Sequence, residues 1–312
     1  LGDCTQTKAV LEAISSTAPG IIANRANLLA ICAMQADDWA SVNTLADSAD
    51  PAQWPESLRL MKCLAALKAD DIEGARAAFA TAAAAQPAAD KLALIFTSAL
   101  GVAVEGLNDE EQAWAATLGA DRDLLIGYGT TLALQLSKLY DASWTSYEKL
   151  LAKRPPHIAL AQLAFAALQF GDKIEGVHEK GQAIADSVST DPRAWIAFAE
   201  LLKKEGDVEG EAQSMAKAVA AGPESAEAWS KYGAMQEKKQ DYKGAAESYR
   251  KLVALEPESA AANNNLAYML LMAGGSDEEA LKFATIAQGK VPNNPGVLHT
   301  LGLAQMRAGD LE

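Results

Sequence analysis

The sequence predicts an all-α fold, an array of stacked antiparallel helix pairs repeating about every 34 residues. Three observations carry that expectation. Prolines that follow helical stretches stand at Pro51, Pro87, Pro155, Pro223, Pro257 and Pro292. Their spacings are 36, 68, 68, 34 and 35 residues, so each 68 is two periods with a proline missing near Asp121 and near Ser189. Midway between the prolines come short breaks: Asp37-Asp38, Asp70-Asp71, Gly171-Asp172, Gly206-Asp207, Gln240-Asp241 and Gly309-Asp310. The first residue of each break can end one helix and the aspartate can cap the next. Finally, the chain is half apolar but only 6% aromatic, and rich in alanine, which suits short helices packed through small side chains.

Taken in order, residues 5–17 read as a lone second helix ahead of Pro19. Ala75, Phe79, Ala82 and Pro87 mark one unit, and Tyr147, Leu150 and Pro155 mark another. The units around 90–121 and 157–190 are helical but degenerate. From about 192 onward the markers sharpen, with Trp195, Phe198, Ala199, Met215, Ala218 and Pro223 in one unit. In the next, Trp229, Tyr232 and Gln236 fall on one face of a first helix. Gly233 leaves room there for the second helix, where Ala245, Tyr249 and Leu252 continue the seam and Pro257 stops it. Leu266, Ala267, Ala280, Ala284, Ala287 and Pro292 repeat the scheme, and Leu298, Leu301, Gly302 and Gln305 begin a last first helix. The expected organisation is a degenerate part, 1–190, and a regular part, 191–312, continuous as one solenoid of about eight to nine repeats. Both ends read as incomplete, so the array is expected to continue past Glu312 and ahead of Leu1.

Composition and motifs narrow the chemistry. The net charge of −14 is divided evenly between the two halves, leaving no basic face for a phosphate backbone and excluding nucleic acid as a partner. The apolar runs Leu92–Val104 and Ile158–Phe170 fall short of the roughly 18–20 residues a membrane span needs. Three cysteines make no disulfide framework. Cys32 and Cys63 lie in helical patterns and are expected as buried thiols, with a Cys32–Cys63 bridge left open. No phosphate-binding loop, zinc-binding His-Glu-x2-His or nucleophile elbow is present. Gly127-Tyr128-Gly129 is a fragment of a dinucleotide fingerprint better explained by close helix packing. His157, His178 and His299 fall in different repeats, so no metal site and no cofactor are expected. Asp109-Glu110-Glu111 and Asp277-Glu278-Glu279 are placed at second-helix starts, where the helix dipole favours acids.

The run Trp-x2-Tyr-Gly-x2-Gln, then Ala-x3-Tyr, then proline, at Trp229 to Pro257, resembles the tetratricopeptide repeat pattern. The neighbouring units resemble it less completely, with Glu211 in place of alanine and one residue inserted around Gly274-Gly275. The resemblance implies a right-handed α-solenoid whose first helices line an inner wall and contact an extended peptide or a partner helix. Carried onto this sequence, those contact positions are Arg193, Glu200, Lys203 and Lys204, then Glu227, Ser230, Glu237 and Lys238, then Asn264, Asn265 and Tyr268, and finally His299 and Arg307. The implied function is a non-enzymatic protein–protein interaction scaffold, with self-association through uncapped ends as a further possibility. Asn263–Gly275 and Asn293-Asn294-Pro295 also resemble repeats of bacterial exported array proteins. That suggests an alternative: the accessory region of a longer envelope, secretion or exopolysaccharide-system protein, in the cell envelope rather than the cytoplasm.

Overall fold

A computed structural model describes residues 4–83, 91–151 and 156–309. Pro87, Pro155 and Asp310, three of the sequence markers, lie outside the described residues. Eighteen α-helices and one 3-10 turn, Pro51–Gln53, make up the regular structure, and no strand occurs among the described residues. The chain forms two compact units, Leu1–Val177 and His178–Glu312.

The first unit contains α1 (Cys4–Glu12), α2 (Pro19–Gln35), α3 (Trp39–Asp47), α4 (Glu56–Lys68), α5 (Ile72–Ala83), α6 (Lys91–Ala99), α7 (Asp109–Ala120), α8 (Arg122–Leu136), α9 (Tyr140–Leu151) and α10 (Ile158–Phe170). Pairs α2/α3, α4/α5, α6/α7 and α8/α9 pack as hairpins. The stacking is not strictly nearest-neighbour, however. Helix α4 packs directly on α8, and the α6/α7 hairpin joins that contact from the side. Gly129 on α8 sits at the junction: a Cβ there would stand 2.5 Å from Phe96 Cε2 and 2.8 Å from Leu64 Cδ2. Gly127 likewise approaches Leu150, where a Cβ would stand 2.7 Å from Cδ1. Both glycines of the Gly-Tyr-Gly fragment therefore serve close helix packing, and Tyr128 between them is fully buried with its hydroxyl donating to the Leu92 carbonyl at 3.2 Å.

The second unit begins within α11 (Val177–Ser187) and continues through α12 (Pro192–Glu205), α13 (Val208–Ala221), α14 (Ala226–Lys238), α15 (Tyr242–Leu255), α16 (Ala260–Met272), α17 (Asp277–Lys290) and α18 (Pro295–Ala308). From α12 to α18 each helix packs on the next, and α12 meets α14 as α16 meets α18. Stacking of this kind hides the apolar stripe of each pair only against its neighbours.

The mid-unit breaks have one recurring geometry. Asp37, Asp70, Gln240, Gly206 and Gly274 all have positive φ, between 57° and 80°. The following residue donates its N–H to a carbonyl five positions back, from Asp38 to Ala33, Asp71 to Ala66, Asp207 to Leu202, Asp241 to Gln236 and Gly275 to Leu270, at 2.8–2.9 Å. This is the left-handed helix ending that satisfies orphan carbonyls. The next helix is then capped, as when Asp207 Oδ1 accepts from Gly210 N–H at 2.9 Å and Asp241 Oδ1 from Gly244 N–H at 3.0 Å. Lys138 makes the same turn at φ 59°, with no sequence marker. Gly171, expected to join this set, has φ −76° and ends α10 differently. The acidic clusters begin α7 and α17 as expected, and Asn108 with Glu111 forms a reciprocal capping box.

The cysteines depart from expectation. Cys4 and Cys32 form a disulfide with Cα atoms 5.5 Å apart, while Cys63 is a buried free thiol. Cys32 is therefore not a thiol and is not bridged to Cys63, because α1 lies on the face of α2 that carries Cys32.

Candidate protein-docking surface

In the second unit the first helices of successive pairs are α12, α14, α16 and α18. Each starts from a side-chain cap: Asp191, Ser225, Ser259 and Asn294 accept from N–H groups of the first turn. A second tie sets each helix against the loop before it. Trp195 Nε1 donates to the Ser189 carbonyl at 2.9 Å, and Trp229 Nε1 to the Pro223 carbonyl at 2.8 Å. Asn263, 34 residues after Trp229, reproduces that bond from a smaller side chain, its Nδ2 donating to the Pro257 carbonyl at 2.9 Å and to the Ser259 carbonyl at 2.8 Å. Asn263 is fully buried, so it acts as a strut.

Beneath this face, Gly233 admits the ring of Tyr249 from α15, where a Cβ would stand 3.0 Å from Cε1 and Cζ. Tyr249 is 1% exposed, among Ala245, Leu252, Leu266 and Leu270. Its hydroxyl donates to Glu237 Oε2 at 3.3 Å and is also reached by the Asn265 side chain. Burial first, and then the Glu237 carboxylate, push this phenol well above the usual tyrosine range.

The contact positions expected from sequence fall into three sets. Glu200, Lys203 and Lys238 come together with Lys231, Glu211, Met215 and Met235 around a cavity of about 160 Å³ between α12, α13 and α14. Its walls mix both charges: Lys231 pairs with Glu200 and lies 3.9 Å from Glu227. Such exposed pairs contribute about 0–1 kcal/mol each and are readily exchanged for a partner's charges. Lys204 is exposed on the same helix, and Ser230 is half-buried on α14. A second set, Glu237 and Asn265, meets through Tyr249. Asn264 and Tyr268 are half-buried on α16, Tyr268 against the core beneath and Asn264 with a buried Oδ1 that has no hydrogen-bond partner among the described residues.

The remaining positions are committed elsewhere or lie apart. Arg193 forks onto its own capping residue, Asp191, with Nη2 to Oδ2 at 2.5 Å. Arg307 donates to the Leu271 carbonyl at 3.2 Å and pairs with Asp277 at 3.1 Å, tying α18 to its neighbours. His299 is exposed on α18. Lys231 was not among the positions expected from sequence. Its signal was available, since it lies four residues after Glu227 on the same helix and faces Glu200 of the preceding one.

No cluster of three or more metal-ligating side chains occurs among the described residues, and no described helix is long and apolar enough to cross a membrane. His157 caps α10 and stacks on Trp114 with ring centroids 3.8 Å apart, whereas His178 lies 3.8 Å from Glu205. A larger cavity, about 790 Å³, lies in the first unit beside Trp39, Trp54, Lys62 and Lys68.

Two overlapping segments, 196–255 and 236–295, match the tetratricopeptide repeat family model. Similar solved structures include MamA, with a TM-score of 0.44, 17% identity and coverage of 54% of this chain and 91% of that one. YrrB, described as a TPR protein with an unusual peptide-binding site, has a TM-score of 0.43 at 14% identity, covering 59% of this chain and 95% of that one. MamA residues 41 to the end from Desulfovibrio magneticus RS-1 has a TM-score of 0.38 at 24% identity, covering 54% and 97%. No curated protein matches the chain. With helix pairs stacked from α12 to α18 and the family model matched across residues 196–295, this part of the chain carries tetratricopeptide repeats.

Proposed function

We propose that this chain is a non-enzymatic interaction scaffold that holds an extended peptide or partner segment along the exposed faces of α12, α14 and α16. The observation that supports this most is the mixed-charge cavity at Glu200, Lys203, Lys231 and Lys238; Asn264 and Tyr268 stand on α16, the next first helix after α14. Salt-bridge groups there can pair with a segment carrying both charges, while Met215 and Met235 offer an adaptable apolar floor. The Asn264 amide nitrogen can donate to a peptide carbonyl. A few contacts of this kind dominate the affinity of most interfaces.

The test is the combined substitution Lys203→Ala, Lys238→Ala and Tyr268→Ala in the full chain. Asn265 is left intact because it also reaches the buried Tyr249 hydroxyl. Partner affinity is expected to fall by about tenfold or more, with the helical circular dichroism unchanged. Unchanged affinity in a folded variant removes this face from the proposal.

A further inference from the structure

We propose that the Cys4–Cys32 disulfide is a thiol-controlled latch that holds α1 in place. The geometry sets α1 apart from every other helix of the first unit. Its only buried residue is Leu11, and Val10 is 66% exposed. It packs on α2 alone beyond incidental contact. Its following loop meets α2 where Arg25 Nη1 donates to the Ile14 carbonyl at 2.8 Å. One buried leucine does not offset the conformational entropy of ordering a nine-residue helix. The covalent bond closes a loop between residues 28 apart in sequence and so reduces the freedom that α1 loses on docking.

With the bond intact, α1 forms one wall of a cavity of about 500 Å³ that Leu29, Ala33 and Leu45 line from α2 and α3. Opening the bond frees that wall. Cys4 is partly exposed whereas Cys32 is 9% exposed, so an attacking thiolate reaches the Cys4 sulfur. One thiolate of a dithiol reductant attacks Cys4 Sγ, the S–S bond breaks, and Cys32 leaves as a thiolate that takes up a proton. The second thiol of the dithiol then displaces Cys4 Sγ, which is protonated in turn. Two electrons pass to the protein and the dithiol becomes a disulfide. Cys63 takes no part, because burial raises its thiol pKa and keeps it protonated.

The test is hydrogen–deuterium exchange of the oxidised full chain before and after dithiothreitol, with Cys4→Ser as the variant that cannot form the bond. Amides of residues 4–12 are expected to exchange at least about tenfold faster after reduction and in Cys4→Ser. Those of α2 to α5 are expected to change by less than about twofold. Unchanged protection of α1 on reduction shows that packing holds it and overturns the proposal. Loss of protection through α2 to α5 together with α1 also overturns it, since the bond is then a staple of the whole unit. Labelling of Cys4 by iodoacetamide in the native, unreduced chain overturns it as well.

Discussion

Replacement of Tyr249 by alanine probes the packing of the second unit at its centre. Tyr249 is 1% exposed, fills the space left by Gly233, and touches the core shared by α14, α15 and α16. Truncating a buried aromatic to alanine costs about 3–5 kcal/mol, part transfer and part cavity. Tyr249→Phe keeps the ring and loses only the hydroxyl's contacts with Glu237 and Asn265; the one to Glu237, at 3.3 Å, is long and contributes about 1 kcal/mol. The geometry also predicts a coupling. Gly233→Leu in the wild type drives a side chain into the Tyr249 ring and destabilises, whereas in Tyr249→Ala it occupies the emptied space. The two substitutions together should therefore cost less than the sum of each alone by about 1–3 kcal/mol. Urea unfolding, followed by circular dichroism and by tryptophan fluorescence, reads the wild type and the four variants. A cost below about 1 kcal/mol for Tyr249→Ala, or strictly additive effects, refutes the close approach of α15 to α14 at Gly233.

Other expectations follow from the same contacts. Gly206 and Gln240 occupy equivalent left-handed turns at φ 80° and 61°, so Gly206→Ala should lower stability by about 1 kcal/mol and Gln240→Gly should raise it by somewhat less, read from urea midpoints. Burial raises the Tyr147 and Tyr249 phenols above their ordinary value. The folded chain then holds those protons more tightly than the unfolded one. This contribution is complete below about pH 10 and is lost as pH rises through the folded values. Stability should accordingly decline above about pH 10, and Tyr147→Phe or Tyr249→Phe should remove the latest part of the tyrosinate absorbance at 295 nm. Cys63 should resist thiol reagents in the folded chain and react only on unfolding, because burial keeps it protonated; rapid native labelling contradicts its placement on α4.

The helix pairs were legible because their punctuation is local. A residue able to adopt positive φ followed by a capping aspartate leaves the same trace at Asp70-Asp71, Gly206-Asp207 and Gln240-Asp241. Lys138-Leu139 makes the same turn without that trace, since lysine tolerates the left-handed geometry only where its surroundings stabilise it. The direct packing of α4 on α8 was not legible, because a period describes neighbours and says nothing of a pair that moves aside. The Cys4–Cys32 bond escaped notice for a similar reason: it depends on which face of α2 receives α1. Asn263 holds the start of α16 through the Pro257 and Ser259 carbonyls. Its deeper meaning lay in its register with Trp229 and in the carbonyl six residues before each. At the candidate surface, the exposed positions followed from helical spacing, whereas the engagement of Arg193 and Arg307 in structural bonds depends on rotamers that spacing does not set.

Site-specific photo-crosslinking tests the scaffold account most directly. A photoreactive residue is placed at Lys203, Lys238 or Tyr268 on the first helices, and at Glu209, Glu247 or Lys251 on the second helices, in the full chain in its native cell. The account predicts the same crosslinked partner from the three first-helix sites and none from the second-helix sites. Crosslinks confined to the second-helix sites, or no dependence on the face at all, contradict it.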